Sequence, residues 1–353
     1  MENKRTRIVD IAEELGVSTA TVSNVIHGKT KKISDETVHR VQELLEKKQY
    51  IPSMAGILLA QNDSRIIGVV INDHEKYESH VLEDAFIASS INYLSAEIEK
   101  AGYFMMVKVT NKWNEIPKFA SMWNMEGLVV IGFCENDYKK LRDSMHIPFV
   151  VYDGYFKEPG RICNLAIDNF DGGFQIGSYF RRLGHQNALC ISDNDICMDL
   201  ERYQGFHAAM ENPDADPMEN RNVKLAKGTG EDFLLIPMTK KERRKFYQDH
   251  LEKLKSVTAV FAVSDYYAVD LIQFLQEQSI RVPEEISVAG FDDSPLCEML
   301  YPTLTAVKQD GKRRAELAIS ILQKLKEGKE EGQTIVLPVT LVERQSTRQI
   351  AQI

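Results

Sequence analysis

Apolar residues recur with a helical period over the first fifty residues of the chain. They predict three short helices, each with one apolar face, formed by Ile8, Ile11, Ala12 and Leu15, by Val22, Val25 and Ile26, and by Val38, Val41, Leu44 and Leu45. Gly16 tolerates the positive φ that would end the first helix, and Ser18 and Ser34 can cap the second and third. On this spacing alone, the first two helices form either a helix-turn-helix or an ordinary helical hairpin.

The second predicted helix leaves small or polar side chains outside its apolar face. Such side chains suit the major groove of DNA, where they can approach base edges. A basic loop at residues 28–32 follows and includes Lys31, which either contacts phosphates or lies in a solvated turn. The outward side chains of this helix are Thr19, Ala20, Thr21, Ser23, Asn24 and His27.

A connector over residues 50–64 separates these helices from the rest of the chain. Pro52 disfavours a helical conformation at the residue before it, so the third helix ends here. The apolar run Ile57, Leu58 and Leu59 is unusual for a solvated linker. It predicts either a small amphipathic helix packed on the main domain or an apolar wedge for a minor-groove base step.

From Ile66 onward, short apolar strands alternate with amphipathic helices. This rhythm predicts parallel sheets covered by helices on both faces, and about ten such units exceed one compact sheet. We therefore expect two similar α/β lobes, with a ligand cleft at the carboxyl ends of their strands. The predicted strands span residues 66–71, 103–109, 128–131, 149–152, 188–191, 223–226, 259–263 and 286–289.

Composition and charge describe a chain with a large acidic body. Of its 353 residues 43% are hydrophobic, which is enough for a sizeable core. Residues 1–64 are balanced in charge, so the net charge of −9 belongs to the remainder, which would repel DNA. The five cysteines lack metal-ligand spacing and are expected to be reduced. Neither a signal peptide nor a membrane span is expected, so we predict a cytoplasmic protein that does not contact membranes.

Motifs along the whole chain resemble the lactose/galactose repressor (LacI/GalR) family. This resemblance implies a DNA-binding headpiece at 1–49, a hinge helix and linker at 50–64, and a periplasmic-binding-protein-like core at 65–353 that binds an effector and dimerises. The expected partners are therefore a second copy of the chain, near-palindromic double-stranded operator DNA and a small effector. The matching motifs include Ile8-x-Asp10-Ile11-Ala12, Gly16-Val17-Ser18, Thr21-Val22-Ser23, Tyr50-x-Pro52, Arg202-x-x-Gly205-Phe206, Ser264-Asp265, Gly290-Phe291-Asp292-Asp293, Pro302-x-Leu304-Thr305 and Gln309-Asp310.

The resemblance also implies roles for single residues of the headpiece and hinge. Thr19, Ala20 and Asn24 occupy base-reading positions, and Leu59 occupies the position of the leucine that wedges into the minor groove. Because Thr19 and Ala20 offer little bidentate hydrogen bonding, we expect Asn24 to carry much of the direct readout. Positions that contact the DNA backbone are occupied by Ser18, Thr21, Ser23 and His27.

In the core, the resemblance points to an effector site built from strand ends. Asp153 and Asp292 each follow a predicted strand, and paired carboxylates with a guanidinium suit the hydroxyls of a sugar. The loop that opens with Asn72 departs from the family pattern, so the effector cannot be transferred from relatives. No catalytic residue, metal or cofactor is expected. The predicted effector-binding residues are Asn72, Asp73, Asp153, Arg202, Ser264, Asp265, Asp292 and Gln309.

The favoured function is repression of carbohydrate-utilisation genes under the control of a sugar-like effector. An enzyme is disfavoured because no dinucleotide-binding glycine motif, Walker loop or nucleophile elbow is present. Two alternatives remain at this point. One is a global catabolite regulator that answers to a phosphorylated carrier protein, and the other is a sugar-binding protein that does not bind DNA.

Overall fold

A computed structural model describes residues 6–50, 64–133, 135–154, 162–213, 230–329 and 332–350, with the backbone alone at 135–139. Contacts divide the chain into two compact units, Met1–Ser64 and Arg65–Ile353. The predicted hinge residue Leu59 and the predicted strand at 223–226 lie outside the described residues.

The first unit contains the three helices that the apolar periodicity predicts. They are α1 (Ile8–Leu15), α2 (Thr19–Ile26) and α3 (Asp35–Lys47). The core of this unit is made by the predicted apolar positions, with Ile11, Val22 and Val41 fully buried at its centre.

Local hydrogen bonds define the ends of these helices. Gly16 ends α1 at φ 68°, a left-handed conformation that strains residues with a side chain. The Ser18 Oγ accepts a hydrogen bond from the Thr21 amide at 3.0 Å, which caps α2, and Ser34 caps α3 in the same way. The guanidinium of Arg40 donates to the Leu15 carbonyl at 3.3 Å and so satisfies a free carbonyl at the end of α1.

The second unit consists of two six-stranded sheets with helices on their faces. Its strands are β1 (Ile66–Ile71), β2 (Phe104–Val109), β3 (Gly127–Ile131), β4 (Phe149–Tyr152), β5 (Ile162–Ile167), β6 (Ala188–Ser192), β7 (Phe233–Leu235), β8 (Ala259–Ala262), β9 (Ser287–Asp292), β10 (Thr305–Gln309), β11 (Thr334–Leu337) and β12 (Val339–Val342). Its helices are α4 (Ala85–Lys100), α5 (Ile116–Met122), α6 (Glu135–Ser144), α7 (Asn169–Arg182), α8 (Cys197–Glu211), α9 (Lys240–Asp249), α10 (Leu251–Lys255), α11 (Asp265–Glu277), α12 (Leu296–Met299) and α13 (Gly311–Lys326).

The two sheets define two lobes that confirm the predicted α/β architecture. Lobe 1 contains the all-parallel sheet β11-β5-β4-β3-β1-β2, and α13 packs on it. Lobe 2 contains the sheet β12-β10-β9-β8-β6-β7, in which only the β10–β12 pairing is antiparallel. The chain passes between the lobes three times, after β5, after β10 and after β11.

Several strands differ from those that the apolar pattern predicts. Phe233–Leu235 pairs with β6, and the sequence did not single it out because it has only three residues. The strands β5 and β10 and the two C-terminal strands β11 and β12 also escaped prediction. The strands β11 and β12 have only four residues each, and both include exposed positions because each strand lies at the edge of its sheet.

None of the helices in the described part of the chain is long and apolar enough to cross a membrane.

Candidate functional sites

A cleft of about 390 Å³ lies between the two lobes and is the candidate ligand site. Its walls are formed by loops at the carboxyl ends of strands in both sheets, where parallel α/β folds bind ligands. The volume is in the range of pockets that hold small molecules. Aromatic side chains from both lobes line it, namely Tyr77, Phe86, Phe133, Tyr152, Tyr266 and Tyr267.

Arg202 is held at the cleft by an unusually close contact between α7 and α8. A Cβ at Gly173 would overlap the Arg202 carbonyl oxygen, and one at Gly205 would overlap the Phe170 carbonyl oxygen. The Arg202 guanidinium donates to the Val263 carbonyl at 2.6 Å and stacks on Phe291 at 3.7 Å from the ring centre. The two glycines therefore fix the helix from which Arg202 enters the cleft.

A chain of buried polar groups runs along the cleft and connects the lobes. Arg314 on α13 forms an ion pair with the Asp153 carboxylate at 2.7 Å and donates to the Gln309 side-chain oxygen at 3.1 Å. The Gln309 amide nitrogen donates to the Asp292 carboxylate at 2.5 Å, and Asp292 lies 3.8 Å from the Arg202 guanidinium. Because every member has a charged or hydrogen-bonding partner, this chain can hold the carboxylates in fixed positions.

Some residues at the cleft have an unusual backbone conformation. Asp153, Cys197, Asp292 and Asp293 all have positive φ, with values of 53°, 50°, 108° and 53°. Residues with a side chain rarely adopt these angles, and such strain accumulates at ligand-binding positions. Asp153, Cys197 and Asp292 line the cleft, although positive φ also occurs outside it, for example at Glu78, Asn124 and Ser279.

The electrostatics of the cleft follow from its burial. Burial raises the pKa of Asp292 to about 7, against the opposing effect of the Arg202 charge. Burial also raises the pKa values of Asp84 and Asp199 and lowers that of His74. Carboxyl groups in this state can accept hydrogen bonds and, when protonated, also donate them.

The cleft brings together six of the eight residues that the sequence predicts as effector-binding. Asp73 does not line it, because its backbone amide donates to the Thr110 carbonyl at the end of β2. Asp265 also lies outside the lining. Its carboxylate accepts a hydrogen bond from the Ser294 amide at 2.7 Å and so stabilises the loop after β9. These two residues are corrections to the predicted set. The six residues in the lining are Asn72, Asp153, Arg202, Ser264, Asp292 and Gln309.

Sequence reasoning missed other charged residues of the cleft. The cleft is also lined by Lys76, Asp84, Asp193 and Asp199. Arg314 does not line it but forms the ion pair with Asp153. Lys76 and Asp193 follow β1 and β6, so their position after an apolar strand was a usable signal. Arg314 gave no such signal, because it lies within an amphipathic helix directly after the exposed residues Lys312 and Arg313.

In the first unit, α2 presents the face that the sequence predicts for DNA. Thr19, Ala20 and Asn24 are exposed, and so is Lys31 in the following loop. Thr21, Ser23 and His27 are half-buried. Ser18 is exposed, but its hydroxyl lies 2.9 Å from that of Thr21, so these two side chains are hydrogen-bonded to each other.

Two adjoining helices with an exposed polar face, together with a two-lobed α/β unit around a ligand-sized cleft, define a DNA-binding regulator with a ligand-binding core. Comparisons with known proteins agree. A model described as bacterial regulatory proteins, lacI family, matches residues 7–53, and a periplasmic binding protein-like domain matches residues 178–347. The chain belongs to the LacI family of bacterial regulatory proteins.

Individual relatives cover almost the whole chain. The HTH-type transcriptional repressor PurR of Erwinia tasmaniensis is 30% identical over 352 residues, which is 96% of each chain. The structure of the lac repressor dimer bound to operator and the anti-inducer ONPF matches with a TM-score of 0.80 at 21% identity, over 98% of this chain and 100% of that one. The transcriptional regulator CelR in complex with cellobiose matches with a TM-score of 0.67 at 20% identity, over 97% and 100%.

Proposed function

We propose that this regulator is a repressor whose affinity for operator DNA is set by a neutral, hydroxyl-rich effector, a sugar or sugar derivative, bound in the cleft. Effector binding changes the closure of the two lobes and thereby the DNA affinity. A coupling free energy of about 1–3 kcal/mol is typical of such systems and corresponds to a change in operator affinity of about 5–150-fold.

The charge of the cleft carries this proposal. Among the described residues that line it, five are aspartates and two are Lys or Arg. An anionic ligand would meet only these two cations, whereas each hydroxyl of a neutral ligand can donate to a carboxylate and accept from a cation or from a protonated carboxyl group. Aromatic walls add the apolar faces against which a sugar ring packs. CelR, a structural neighbour, holds cellobiose, and genes for carbohydrate use are the fitting targets for such a sensor.

A purine-type effector is the second candidate. It is favoured by the name PurR of the relative that is 30% identical to this chain. A flat neutral base could stack between the aromatic side chains of the cleft, and its ring N–H groups could donate to carboxylates. Sugar and purine therefore have to be separated by experiment.

We propose that the helix α2 reads the operator and that two copies of the chain act together. Thr19, Ala20 and Asn24 face base edges, Ser18, Thr21, Ser23, His27 and Lys31 contact the DNA backbone, and Leu59 wedges into the minor groove. A dimer would place two α2 helices on the half-sites of a near-palindrome. The lac repressor structure that this chain resembles is a dimer.

Exposed apolar side chains support the dimer. Phe104 and Val107 lie on the edge strand β2 of lobe 1 and are 58% and 36% exposed. Met299 and Tyr301 on lobe 2 are 79% and 86% exposed. Exposed apolar side chains of this kind are available to a protein–protein contact.

The experiment first selects the operator from random DNA with the purified full-length protein, and then measures its affinity while candidate effectors are added. The set contains D-ribose, D-glucose and cellobiose as sugars and hypoxanthine and guanine as purines, each also tested for a rise in melting temperature. We expect a sugar to raise the melting temperature and to change operator affinity at least 5-fold. A response to purines alone would replace the sugar by the second candidate, and a ligand that binds without changing operator affinity would contradict the allosteric proposal.

A further inference from the structure

The loop between β1 and α4 crosses the cleft from lobe 1 to lobe 2. It contains a short 3₁₀ turn, Glu75–Tyr77. The Tyr266 hydroxyl of lobe 2 donates to the Lys76 carbonyl at 3.3 Å, and the Tyr77 ring packs edge-on against the Tyr266 ring at 6.3 Å. These contacts hold the Lys76 backbone against the opposite lobe, so its side chain enters the cleft at a fixed place.

The ammonium group of Lys76 lies among aromatic rings. Its Nζ is 5.0 Å from the centre of the Tyr77 ring and 5.7 Å from that of Tyr267. Among the described residues no carboxylate lies within ion-pair distance of this Nζ, although Asp193 and Asp199 are near enough to attract it. The cation therefore retains hydrogen-bonding capacity toward the cleft.

Three buried polar atoms, on side chains that line the same cleft, form no close hydrogen bond within the described protein. They are the Asp193 Oδ2, the Ser264 Oγ and the Tyr267 hydroxyl, on side chains that are 6%, 8% and 0% exposed. An unpartnered buried polar atom destabilises the protein and is rare, unless a ligand or water supplies the missing bond. These atoms are enclosed by protein, and the Tyr267 hydroxyl lies beside the Asp193 carboxylate, so the hydrogen-bonding group of this cluster that a ligand can reach directly is the Lys76 ammonium.

We propose that Lys76 is a specificity-determining residue of the cleft, whose ammonium group donates a hydrogen bond to a hydroxyl oxygen of the effector. This inference rests on the proposed function, because it assigns one hydroxyl of the proposed sugar. A neutral hydroxyl fits this place better than a carboxylate, because a carboxylate would be repelled by the nearby Asp193.

The test uses the sugar that stabilises the wild-type protein most among D-ribose, D-glucose and cellobiose, together with its single-deoxy analogues. Dissociation constants are measured by calorimetry for the wild type, Lys76→Met and Lys76→Arg. Lys112→Met is the matched control, since Lys112 belongs to lobe 1 and its side chain is 68% exposed. Melting temperatures without ligand establish that each variant is folded.

We expect Lys76→Met to weaken sugar binding about 10- to 100-fold, as is typical for a lost hydrogen bond to a charged group. Lys76→Arg should recover part of this loss, and Lys112→Met should bind like the wild type. One deoxy analogue should bind the wild type as weakly as the parent sugar binds Lys76→Met. That analogue should lose no further affinity in the variant, because the deleted hydroxyl and Lys76 form one interaction.

Each remaining outcome counts against a stated claim. A folded Lys76→Met protein that binds the parent sugar with unchanged affinity would overturn the role of Lys76 and leave the proposed effector class intact. Equal losses for every deoxy analogue in the wild type and in Lys76→Met would also overturn it, since the effects would then be independent. A wild type that none of the sugars stabilises contradicts the proposed effector class and this inference with it. If Lys76→Met does not fold, the Lys76→Arg protein decides, because a longer planar cation should still shift the preference among the deoxy analogues.

Discussion

The headpiece and the cleft are built from hydrogen bonds of different range. In the headpiece, Ser18 caps α2 through Thr21, and Ser34 caps α3 through Thr37, three residues away in each case. In the cleft, Gln309 bonds to Asp292 across 17 residues, and Arg314 bonds to the Leu165 carbonyl across 149. The headpiece helices are therefore capped by their neighbours in sequence, although the Arg40 bond to the Leu15 carbonyl spans 25 residues, whereas the polar network of the cleft exists only after distant segments have met.

This difference sets what each region exposes. The headpiece keeps its functional side chains on the surface, where Thr19, Ala20 and Asn24 are free of the core and can change with little effect on stability. The cleft buries its functional side chains in the same network that joins the lobes. Changes in the cleft should therefore affect stability and ligand binding together, whereas changes on the outer face of α2 should affect only DNA recognition.

The largest effect should come from the close contact between α7 and α8. In Gly205→Ala the new methyl group would overlap the Phe170 carbonyl oxygen, and a backbone atom cannot move aside. We expect a loss of about 5 kcal/mol or more in the free energy of unfolding, measured with urea. Gly311→Ala is the control, because its Cβ would meet only the ring of Tyr93 at 3.2 Å and that ring is 37% exposed. Similar stability of both variants would show that the helices are less tightly constrained.

The second-largest loss of stability should come from breaking the buried ion pair between Arg314 and Asp153. Arg314→Leu leaves the Asp153 carboxylate buried without its cation, so we expect about 3–5 kcal/mol of destabilisation in urea unfolding. Adding Asp153→Asn should recover part of this loss. The neighbouring Arg313 is the control, since its side chain is 56% exposed and its pair with Glu316 should contribute about 1 kcal/mol or less. If Arg313→Leu and Arg314→Leu destabilise equally, the polar chain between the lobes has no special role.

The headpiece offers the contrasting case. Asn24→Ala should relax the base preference at one position of each half-site, because a bidentate amide contact with adenine contributes about 1–3 kcal/mol of discrimination. Binding to nonspecific DNA and thermal stability should stay the same, since Asn24 is exposed. Selection of half-sites from random DNA measures this, with the exposed Gln42→Ala on α3 as the control. An unchanged preference would remove Asn24 from the reading positions.

The smallest effect should be a pH dependence in lobe 2. The His207 ring nitrogen lies 2.6 Å from the Asp232 carboxylate, and this hydrogen bond raises the pKa of His207. A raised pKa stabilises the fold below the ordinary histidine value and the contribution is lost as the pH rises through the raised value. His207→Gln should therefore cost about 1 kcal/mol at pH 5.5 and much less at pH 8.5. The exposed His146→Gln should show no such trend in urea unfolding, and a loss for His207→Gln that is independent of pH would contradict the ion pair.

The same difference in range explains how much the sequence could predict. Periodicity located the three headpiece helices and the two serine caps, because each depends on residues within one or two turns, and it named the apolar residues that pack together in the core. The α/β rhythm located most strands of the core. It could not predict that the chain returns to lobe 1 with β11 after lobe 2 has nearly been completed, since strand order depends on distant pairing.

In the cleft, the position of a residue just after a strand predicted that it lies near the site, but it did not predict which way the side chain points. Asp292 and Asp265 both follow strands of lobe 2, yet Asp292 lines the cleft and Asp265 turns toward Ser294. Arg314 was missed because its partner Asp153 is 161 residues earlier in the chain, as their numbers show. The sequence therefore named candidate groups, and the three-dimensional arrangement selected among them.

The threefold passage of the chain between the lobes has a consequence for synthesis on the ribosome. Each sheet receives an edge strand from the last part of the chain, β11 in lobe 1 and β12 in lobe 2, after residue 333. A nascent chain that stops before this point carries two incomplete sheets, so neither lobe can be finished as a separate unit during elongation. The headpiece, by contrast, needs only residues of the first fifty positions and can form its helices as soon as they leave the ribosome exit tunnel.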